Sequence, residues 1–501
     1  MILLRGQQAE SCEIIVPQAP GKSIAYPTAS VACDIRSPMP RLYRISLPVA
    51  LFLFAVFSTQ AQTLAPTPPM GWNSWDAYGM SIDEADFEAN ATVLAGMKQL
   101  GWQYAVIDEG WYLEEPLAST TELQKFVYDA NGRLIPALNR FPDAANGAGL
   151  KPIADWVHAQ GLKFGIHLIR GIPRGSVKDD KPIAGSTFKA SDAADTTDLC
   201  PWNSDNYGIK DNAAGQAWYD SMIGLYATWG IDYLKVDCIS DRPYKISEIK
   251  QIAAAIKKTG RPIVLSLSPG PTNLSHAEEV TKYAQLWRIS DDHWDVWSHV
   301  PKPGEGEFPM GTLQAFDRLA AWNRYNKPGG WPDEDMLPLG YLGPHPGWQE
   351  ARESRLTHDE EQTEFTLWAI SRSPLILGSN LTKLDDFTKS LITNKDLIAM
   401  NQDADDNQPI RSLPATFENI RVWKAVRAGW DGNAPMFVAL FNLGDKPAEL
   451  HFTWAELGFE GKEAKNLFGD NKSSSGKVDL MLPPHGSTAY SGLTRLGSRE
   501  K

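Results

Sequence analysis

The chain has 501 residues, of which 43% are hydrophobic, so it carries enough apolar sequence for a large core. Its formal net charge of -13 argues against nucleic acid or an anionic membrane surface as a partner, because both repel a negative protein. Its 18 tryptophans are many, and we expect some to wall a binding cleft and most to pack in the core.

An export signal is predicted near the start of the chain. Two arginines precede an apolar run at 45–57, which is too short to span a bilayer, and a small-residue cleavage site ends at Ala61. Met39 is the predicted start of translation, and residues 1–61 are excluded from the fold as an extension plus signal. The mature protein is then expected to be secreted or periplasmic, without membrane attachment.

Strand-like and helix-like segments alternate over residues 62–412. The predicted strands are Pro69–Trp75, Tyr104–Ile107, Lys163–Ile169, Gly230–Ser240, Pro262–Leu267, Ala284–Ile289, Gly329–Asp335 and Pro374–Leu377. The predicted helices open at Ser81, with Glu84 completing a capping box, and cover 152–160, 218–229 and 362–370. This alternation predicts a (β/α)8 TIM barrel, which a long polar stretch at 171–212 interrupts.

The last part of the chain, residues 413–501, has a different pattern. Short alternating or apolar strands are separated by Gly, Asn and Asp turns. This pattern of strands and turns predicts an antiparallel β-sandwich domain that follows the barrel.

Polar residues stand at the predicted carboxyl ends of the barrel strands, where barrel enzymes place their chemistry. They are Asp76, Asp108, Glu109, His167, Asp237, Ser268, Asp292 and Asp335. Lys235 and Asp237 lie two residues apart in one strand and therefore face the same space, as a structural ion pair or as part of a site. Most of these strand-end residues are acids, which favours a site.

Facing carboxylates at a barrel mouth with aromatic walls are typical of glycoside hydrolysis. One acid must be ionised to attack, and the other must hold a proton. Lys235 favours the ionised form of Asp237, which suits a nucleophile. The proton donor is then Asp292 or its neighbour Asp291. Because no metal-binding motif is present, we predict neither metal nor cofactor.

Two cysteines, Cys200 and Cys238, remain once residues 1–61 are set aside. In an exported protein they are candidates for a disulfide, the alternative being two separate buried thiols.

Seven motifs, in order along the predicted barrel, carry a resemblance to a known family. They are Pro68-Pro-Met-Gly-Trp-Asn-Ser-Trp75, Val106-Ile-Asp-Glu-Gly-Trp111, Tyr233-Leu-Lys-Val-Asp237, Trp287-Arg288 with Asp292, Gly329-Gly-Trp-Pro-Asp-Glu-Asp-Met-Leu337, Ser373-Pro-Leu-Ile-Leu377 and Ala399-Met-Asn-Gln-Asp403. The chain resembles glycoside hydrolase family 27, the α-galactosidase (melibiase) family of clan D, whose fold is a (β/α)8 barrel with a C-terminal β-sandwich.

The resemblance implies a retaining double displacement on terminal α-D-galactosyl residues of an oligosaccharide or polysaccharide. Asp237 matches the family's nucleophile, and Asp292 matches its acid/base, which decides against Asp291. The sugar subsite implied by the resemblance contains Trp75, Asp108, Lys235, Arg288 and Trp331. The family's cysteine bridge beside the nucleophile strand also supports a Cys200–Cys238 disulfide, although Cys238 stands one place early.

Three positions depart from the family pattern inside the expected sugar subsite. Glu109 stands where galactosidases have a second Asp, His167 where the family often has Tyr, and Ser268 where it has Glu near O2. Glu109 reaches one methylene further towards C6, so a sugar without C6, β-L-arabinopyranose, is the alternative substrate; such activity is known in the family. A water between Glu109 and O6 would instead preserve galactose binding.

Two further alternatives differ in kind. The stretch 171–212 could reshape the subsites for another glycan such as dextran. A non-catalytic sugar-binding protein is the other alternative, but loss of Asp237 or Asp292 would have indicated it, and both are present.

Overall fold

The computed structural model describes residues 63–302, 306–428, 436–460, 464–469, 472–473 and 476–496. The predicted export signal lies outside these ranges. Within them, no helix is both long enough and apolar enough to cross a membrane.

Eight parallel strands form the barrel predicted from the sequence. They are β1 Met70–Asn73, β2 Tyr104–Ile107, β3 Lys163–Ile169, β4 Tyr233–Asp237, β5 Val264–Leu267, β6 Leu286–Arg288, β7 Trp331–Asp333 and β8 Leu375–Leu377. Their hydrogen-bonded order is β7-β6-β5-β4-β3-β2-β1-β8. A parallel bridge between Leu337, just after β7, and Leu377 joins the two remaining edges. The predicted fold class is therefore confirmed.

Helices follow most of these strands and cover the barrel. The longer α-helices are Glu84–Gly96, Lys151–Ala159, Ala213–Trp229, Ile246–Thr259, Thr312–Trp322, His358–Ser371, Asp386–Ile392 and Lys395–Gln402. The short α-helices are Trp75–Tyr78, Thr121–Gln124, Arg174–Lys178, Ala190–Ala193 and Ala277–Val280. The 3-10 segments are Gly79–Ser81, Lys98–Leu100, Pro142–Gly147, Leu274–His276, Asn323–Tyr325, Leu381–Lys383 and Trp454–Leu457.

The first long helix begins at Glu84 and is capped by Asp83, whose side chain accepts the N–H of Asp86 at 2.9 Å. Ser81 instead ends a preceding 3-10 turn and donates its hydroxyl to the carbonyl of Tyr78 at 2.7 Å. The predicted capping role of Ser81 is therefore wrong, because Asp83 lies directly before the first helical residue and takes that role.

Side chains fill the amino-terminal end of the barrel interior. The first residues of five strands meet there in one buried cluster with Ala65: Tyr104, Tyr233, Val264, Leu286 and Trp331. This packed layer closes that end of the barrel, as in other barrels of this size. A ligand can therefore approach the strand ends only from the carboxyl-terminal face.

Most tryptophans of the described residues pack in the core, as expected from their number. Those that are essentially inaccessible are Trp72, Trp102, Trp111, Trp218, Trp287, Trp294, Trp331, Trp368, Trp423 and Trp454. Trp75, Trp156, Trp297 and Trp348 are half-buried, and Trp202 is 50% exposed.

The stretch 171–212 is a folded insertion after β3. Strands Ile172–Pro173, Asn206–Ile209 and Ala194–Leu199 form a three-stranded antiparallel sheet, in that order, with two short helices between them. The insertion therefore has a small sheet of its own where the sequence indicated only an interruption.

Antiparallel strands form the C-terminal region, as predicted. The larger sheet contains β9 Ala404–Pro409, β10 Ile420–Arg427, β11 Met436–Asn442, Phe459–Glu460, Ala464–Asn466, Lys472–Ser473 and Ser487–Arg495. Ala448–Thr453 pairs separately with Lys477–Leu482, and the apolar faces of both sheets share one core. Because β9 begins at Ala404, the first strand precedes the domain boundary predicted at 413.

The C-terminal sheet packs on the barrel helix His358–Ser371. Thr363 donates its hydroxyl to the carbonyl of His485 at 2.6 Å, and Gln362 donates to the carbonyl of Ser487 at 2.8 Å. These contacts lie on the outside of the barrel, so the sheet supports the barrel without lining its mouth.

Candidate active site

A cavity of about 760 Å3 opens at the carboxyl ends of the barrel strands. Its volume lies within the range of small-molecule sites. Seven of the ten predicted catalytic and sugar-binding residues line it: Trp75, Asp108, Glu109, Lys235, Asp237, Arg288 and Asp292. Three do not: His167, Ser268 and Trp331.

Asp108, directly after β2, is held by protein donors on both carboxylate oxygens. Lys235 Nζ lies 2.9 Å from its Oδ2, Asn73 Nδ2 donates to the same oxygen at 2.6 Å, and the N–H of Glu109 donates to Oδ1 at 2.8 Å. Burial disfavours its charge, but Lys235 and His167 together outweigh burial and lower the pKa of Asp108. The direct ion-pair partner of Lys235 is therefore Asp108.

Asp237, the last residue of β4, is surrounded by groups that stabilise its negative charge. His167 Nε2, on the neighbouring strand β3, lies 3.1 Å from its Oδ2. Burial opposes ionisation, yet Lys235, His167 and a hydrogen bond from Ser268 hold the pKa of Asp237 well below its usual range. Asp237 is therefore an ionised carboxylate, which is the state required of a nucleophile.

Asp292 lies in the loop after β6 and has the opposite electrostatic surroundings. Its side chain is 42% exposed, and Arg288 donates to its Oδ1 at 3.3 Å. Loss of solvation inside the cavity, together with the negative charges of Asp237 and Asp291, raises the pKa of Asp292. Arg288 lowers it, but by less. The neighbouring Asp291 instead pairs with Arg242 at 3.0 Å. Asp292 is therefore the carboxyl group better suited to hold a proton.

Glu109 is buried at the cavity wall and is bound by the insertion. Asn203 Nδ2 donates to its Oε1 at 2.8 Å, while Asn203 Oδ1 accepts the N–H of Asp205 at 2.9 Å, so the amide of Asn203 is held from both sides. Burial raises the pKa of Glu109 to about 7; His167 lowers it and Asp237 raises it. The charge of Glu109 therefore changes near neutral pH.

A disulfide joins Cys200 to Cys238, as predicted. Cys200 belongs to the insertion, and Cys238 follows Asp237 directly. The bond attaches the insertion to the end of β4, so that Trp202 and Asn203 reach the cavity wall beside the candidate nucleophile.

Trp331 does not line the cavity, which corrects its predicted contact with the sugar. It begins β7, is completely buried at the amino-terminal end of the barrel, and donates its indole N–H to the carbonyl of Ala65 at 2.9 Å. The Arg372 guanidinium lies over its ring at 4.7 Å. Trp331 therefore packs the barrel at the end opposite to the candidate site.

His167 and Ser268 are buried behind the cavity surface, so their predicted sugar contacts are also corrected. Both interact with Asp237: His167 by its Nε2 and Ser268 by a hydrogen bond. They stabilise the carboxylate that faces the cavity.

Asp76 and Asp335 line the cavity but were not assigned to the sugar subsite from the sequence, although both had been recognised at strand ends. Asp335 pairs with Arg288 at 2.6 Å and accepts the N–H of His293 at 2.8 Å. Neither carboxylate oxygen of Asp76 has a hydrogen-bond partner among the described residues. Burial, and next the charge of Asp335, raise the pKa of Asp76 well above its usual range. A Cβ at Gly378 would collide with Asp76, so glycine is required there.

Aromatic cavity walls were expected, but three of the aromatic residues that form them were not identified from the sequence. Trp202 comes from the insertion, and Phe308 and Trp294 come from the loop after β6. The sequence offered no periodic signal for these loop residues, because their approach to the cavity depends on the disulfide and on loop packing.

No metal site is formed in the part of the chain that the structure describes, since no group of three or more His, Cys, Asp or Glu side chains has suitable geometry. Two of the cavity carboxylates, Asp108 and Asp335, are paired with Lys235 and Arg288. The arrangement supports acid–base and nucleophilic chemistry on a neutral polar ligand.

Comparison with known families agrees with this geometry. Residues 67–177 and 210–403 match the model of the family Melibiase_2, described as alpha galactosidase A. The chain therefore belongs to this family of glycoside hydrolases, glycoside hydrolase family 27. The match omits residues 178–209, which make up most of the insertion.

The alignments with individual relatives extend over nearly the whole length of each relative. Alpha-galactosidase A of Cellvibrio japonicus is 29% identical over 89% of this chain and 96% of its own. The solved structure of a β-L-arabinopyranosidase of the same family from Geobacillus stearothermophilus, in complex with arabinose, is 40% identical, with a TM-score of 0.77 over 86% of this chain and 98% of its own. Alpha-galactosidase I of Mortierella vinacea is 25% identical, with a TM-score of 0.64 over 85% and 97%.

Proposed function

We propose that the protein is a retaining exo-glycosidase that releases terminal α-D-galactosyl residues from oligosaccharides or polysaccharides. The observation that carries this proposal is a pair of carboxyl groups in one cavity with opposite pKa shifts, lowered at Asp237 and raised at Asp292. Such a difference assigns separate roles to two acids in one site. The family membership and the curated relatives named alpha-galactosidase support the choice of sugar.

In the first step, the Asp237 carboxylate attacks the anomeric carbon while Asp292 gives its proton to the leaving oxygen. A covalent glycosyl ester on Asp237 results. In the second step, Asp292 accepts a proton from water, the water oxygen attacks the anomeric carbon, and the bond to Asp237 breaks. Two inversions give net retention of configuration. Lys235, His167 and Ser268 stabilise the carboxylate that leaves in the second step.

The sugar is held by charged and polar groups at the buried end of the cavity. Asp108 and Lys235 form a fixed ion pair there, and Arg288 with Asp335 forms a second one opposite. We propose that these groups bind the hydroxyls of the terminal sugar. Because side chains fill the barrel beneath, a chain end can enter but a polymer cannot thread through, which supports exo action.

A β-L-arabinopyranosyl substrate is the second candidate, and Glu109 is the observation that favours it. Its side chain lines the cavity and is held in place by Asn203. We propose that it occupies the space that a hexose C6 group would need, as the family resemblance implies. The β-L-arabinopyranosidase structure at 40% identity also supports this candidate. The two sugars share their stereochemistry and differ only at C6.

Initial rates on p-nitrophenyl α-D-galactopyranoside and β-L-arabinopyranoside, measured side by side, test the proposal. Faster turnover of the galactoside supports the first candidate, and faster turnover of the arabinopyranoside supports the second. Background rates on both would contradict the function, and dextran and longer glycans would then be tested.

Glu109→Asp sharpens the choice of sugar. Removing one methylene next to C6 should raise the galactoside-to-arabinopyranoside ratio of kcat/KM roughly tenfold or more, since one methylene is worth about 1–3 kcal/mol in such pockets. Glu88→Asp, the same change on an external helix, is the control and should leave the ratio unchanged. An unchanged ratio in Glu109→Asp would contradict the idea that this side chain reads C6.

A further inference from the structure

We infer that the insertion builds a leaving-group subsite, in which the half-exposed ring of Trp202 stacks on the flat face of the group released from the sugar. This inference rests on the proposed function, because it concerns the other half of the same substrate. The ligand class is a leaving group that presents a ring face, either an aryl group or a second sugar.

The size of the cavity leaves room for such a group. A hexose has about twelve non-hydrogen atoms, and even at the ~30 Å3 that a water molecule occupies in the liquid it would fill only roughly 360 Å3. The cavity measures about 760 Å3. About half of it therefore remains for what is attached to the sugar.

The exposure of the lining residues indicates that the remaining space lies at the mouth of the cavity. Asp108 and Lys235 at the inner end are 2% and 9% exposed, whereas the Asp292 side chain is 42% exposed. The proton donor must lie next to the leaving oxygen. The leaving group therefore extends from Asp292 outward, into the part of the cavity lined by Trp202 and Phe308.

These two rings are unusual among the described residues. The large hydrophobic side chains that are clearly exposed include only two aromatic ones, Trp202 at 50% and Phe308 at 42%, and both line the catalytic cavity. Twelve other tryptophans of the described residues are buried in the core. Leaving indole surface in water is unfavourable unless a ligand covers it, so exposure confined to this rim indicates a stacking surface.

The insertion also provides the rigidity that a stacking surface requires. Trp202 stands two residues after Cys200, whose disulfide anchors the insertion beside Asp237, and one residue before Asn203, whose amide is held by Glu109 and Asp205. The chain on both sides of Trp202 is therefore attached to the inner site, through Cys200 on one side and Asn203 on the other. Trp202 also falls in residues 178–209, which the family match omits, so the family match assigns it no role.

The test compares three leaving groups on one sugar: the glycosyl fluoride, the p-nitrophenyl glycoside and a disaccharide with a glucose leaving group. Trp202→Ala should lower kcat/KM roughly two- to tenfold for the two ring-bearing substrates and leave the fluoride unchanged, because fluoride offers no ring to stack. Phe308→Ala tests the second exposed ring in the same way. Leu199→Ala, an exposed residue of the same insertion outside the cavity, is the control and should change none of the three rates.

Loss confined to the p-nitrophenyl glycoside identifies an aryl leaving group, and loss confined to the disaccharide identifies a sugar. An equal loss on the fluoride, or no loss on either ring-bearing substrate in both variants, overturns the subsite while the proposed function stands. The measurement uses whichever of the two sugars the wild-type enzyme cleaves faster. A wild-type enzyme that cleaves neither overturns the proposed function, and the subsite with it.

Discussion

The inner end and the rim of the cavity are built in different ways. At the inner end, the functional side chains stand at the ends of barrel strands and are fixed by ion pairs, such as Lys235 with Asp108 at 2.9 Å and Arg288 with Asp335 at 2.6 Å. At the rim, aromatic side chains stand on loops and on the insertion, and a disulfide anchors the insertion.

This difference separates chemistry from selectivity within one cavity. Strand ends give positions that neighbouring hydrogen-bonded strands define, which suits groups that must meet a reacting atom closely. Loops can change in length and composition without disturbing the barrel, which suits groups that choose among substrates. Changes at the inner end should therefore abolish turnover, and changes at the rim should alter preference.

Asp237→Asn should have the largest effect. It removes the attacking carboxylate while preserving size, so kcat should fall on the order of 10^4-fold or more, as for other essential nucleophiles. Calorimetric titration with the free sugar should still detect binding, since Asp108, Lys235 and Arg288 remain. Turnover close to that of the wild type would remove Asp237 from the mechanism.

Asp292→Ala should have the next largest effect and should change the pH profile. Loss of a general acid costs about 10^2- to 10^4-fold for substrates with a poor leaving group. Because the pKa of Asp292 is raised, the proton is present below that pKa and is lost as the pH rises through it, so the wild-type kcat/KM should fall on the alkaline side. The variant should lack this decline on the p-nitrophenyl glycoside, on which the wild-type profile is measured as well.

Asp291→Ala is the matched comparison for that prediction. Asp291 pairs with Arg242 and accepts the N–H of Asp292 at 2.9 Å, so its loss should lower the rate but keep the alkaline decline. If the alkaline decline of kcat/KM disappeared in Asp291→Ala and persisted in Asp292→Ala, Asp291 would be the proton donor and Asp292 would not.

Asn203→Ala should have the smallest effect, confined to preference. Without the amide N–H on its Oε1, Glu109 can turn away from the C6 position, and the galactoside-to-arabinopyranoside ratio of kcat/KM should rise a few-fold, roughly 1 kcal/mol for one hydrogen bond. Thr197→Ala, on the same insertion and outside the cavity, is the control. A lower rate on both sugars with an unchanged ratio would indicate loss of stability instead.

The inner end of the cavity could be predicted from the sequence, because it is built from strand ends that the local pattern reveals. The rim of the cavity could not be predicted in this way. Parallel strands of four or more apolar residues are visible in the sequence, and the acids that follow them, Asp108 and Asp237, must gather at one face. The error at Trp331 came from a motif that spans β7. Trp331, the first residue of the strand, lies at the packed end of the barrel, whereas Asp335 and Met336, which follow the strand, reach the cavity.

The rim depends on contacts between segments far apart in sequence. Cys200 and Cys238 were candidates for a disulfide as the two cysteines left after the export signal, and the resemblance supported the pair. Nothing in the local pattern of residues 171–212, however, indicated that Trp202 would reach the cavity or that Asn203 would bind Glu109. The start of the first long helix was predicted wrongly for a related reason. Ser81 and Asp83 both have side chains that can cap a helix, and Ser81 is taken up in a 3-10 turn, so that Asp83 is the cap.

Trapping the covalent intermediate tests the central claim most directly. A fluorinated glycosyl fluoride that reacts in the first step and is released slowly in the second should add the mass of one glycosyl group to the intact protein. We expect peptide mapping to place that mass on Asp237 and expect no adduct with Asp237→Asn. An adduct on another carboxylate, or steady turnover of the reagent with inversion of configuration, would contradict a retaining mechanism through Asp237.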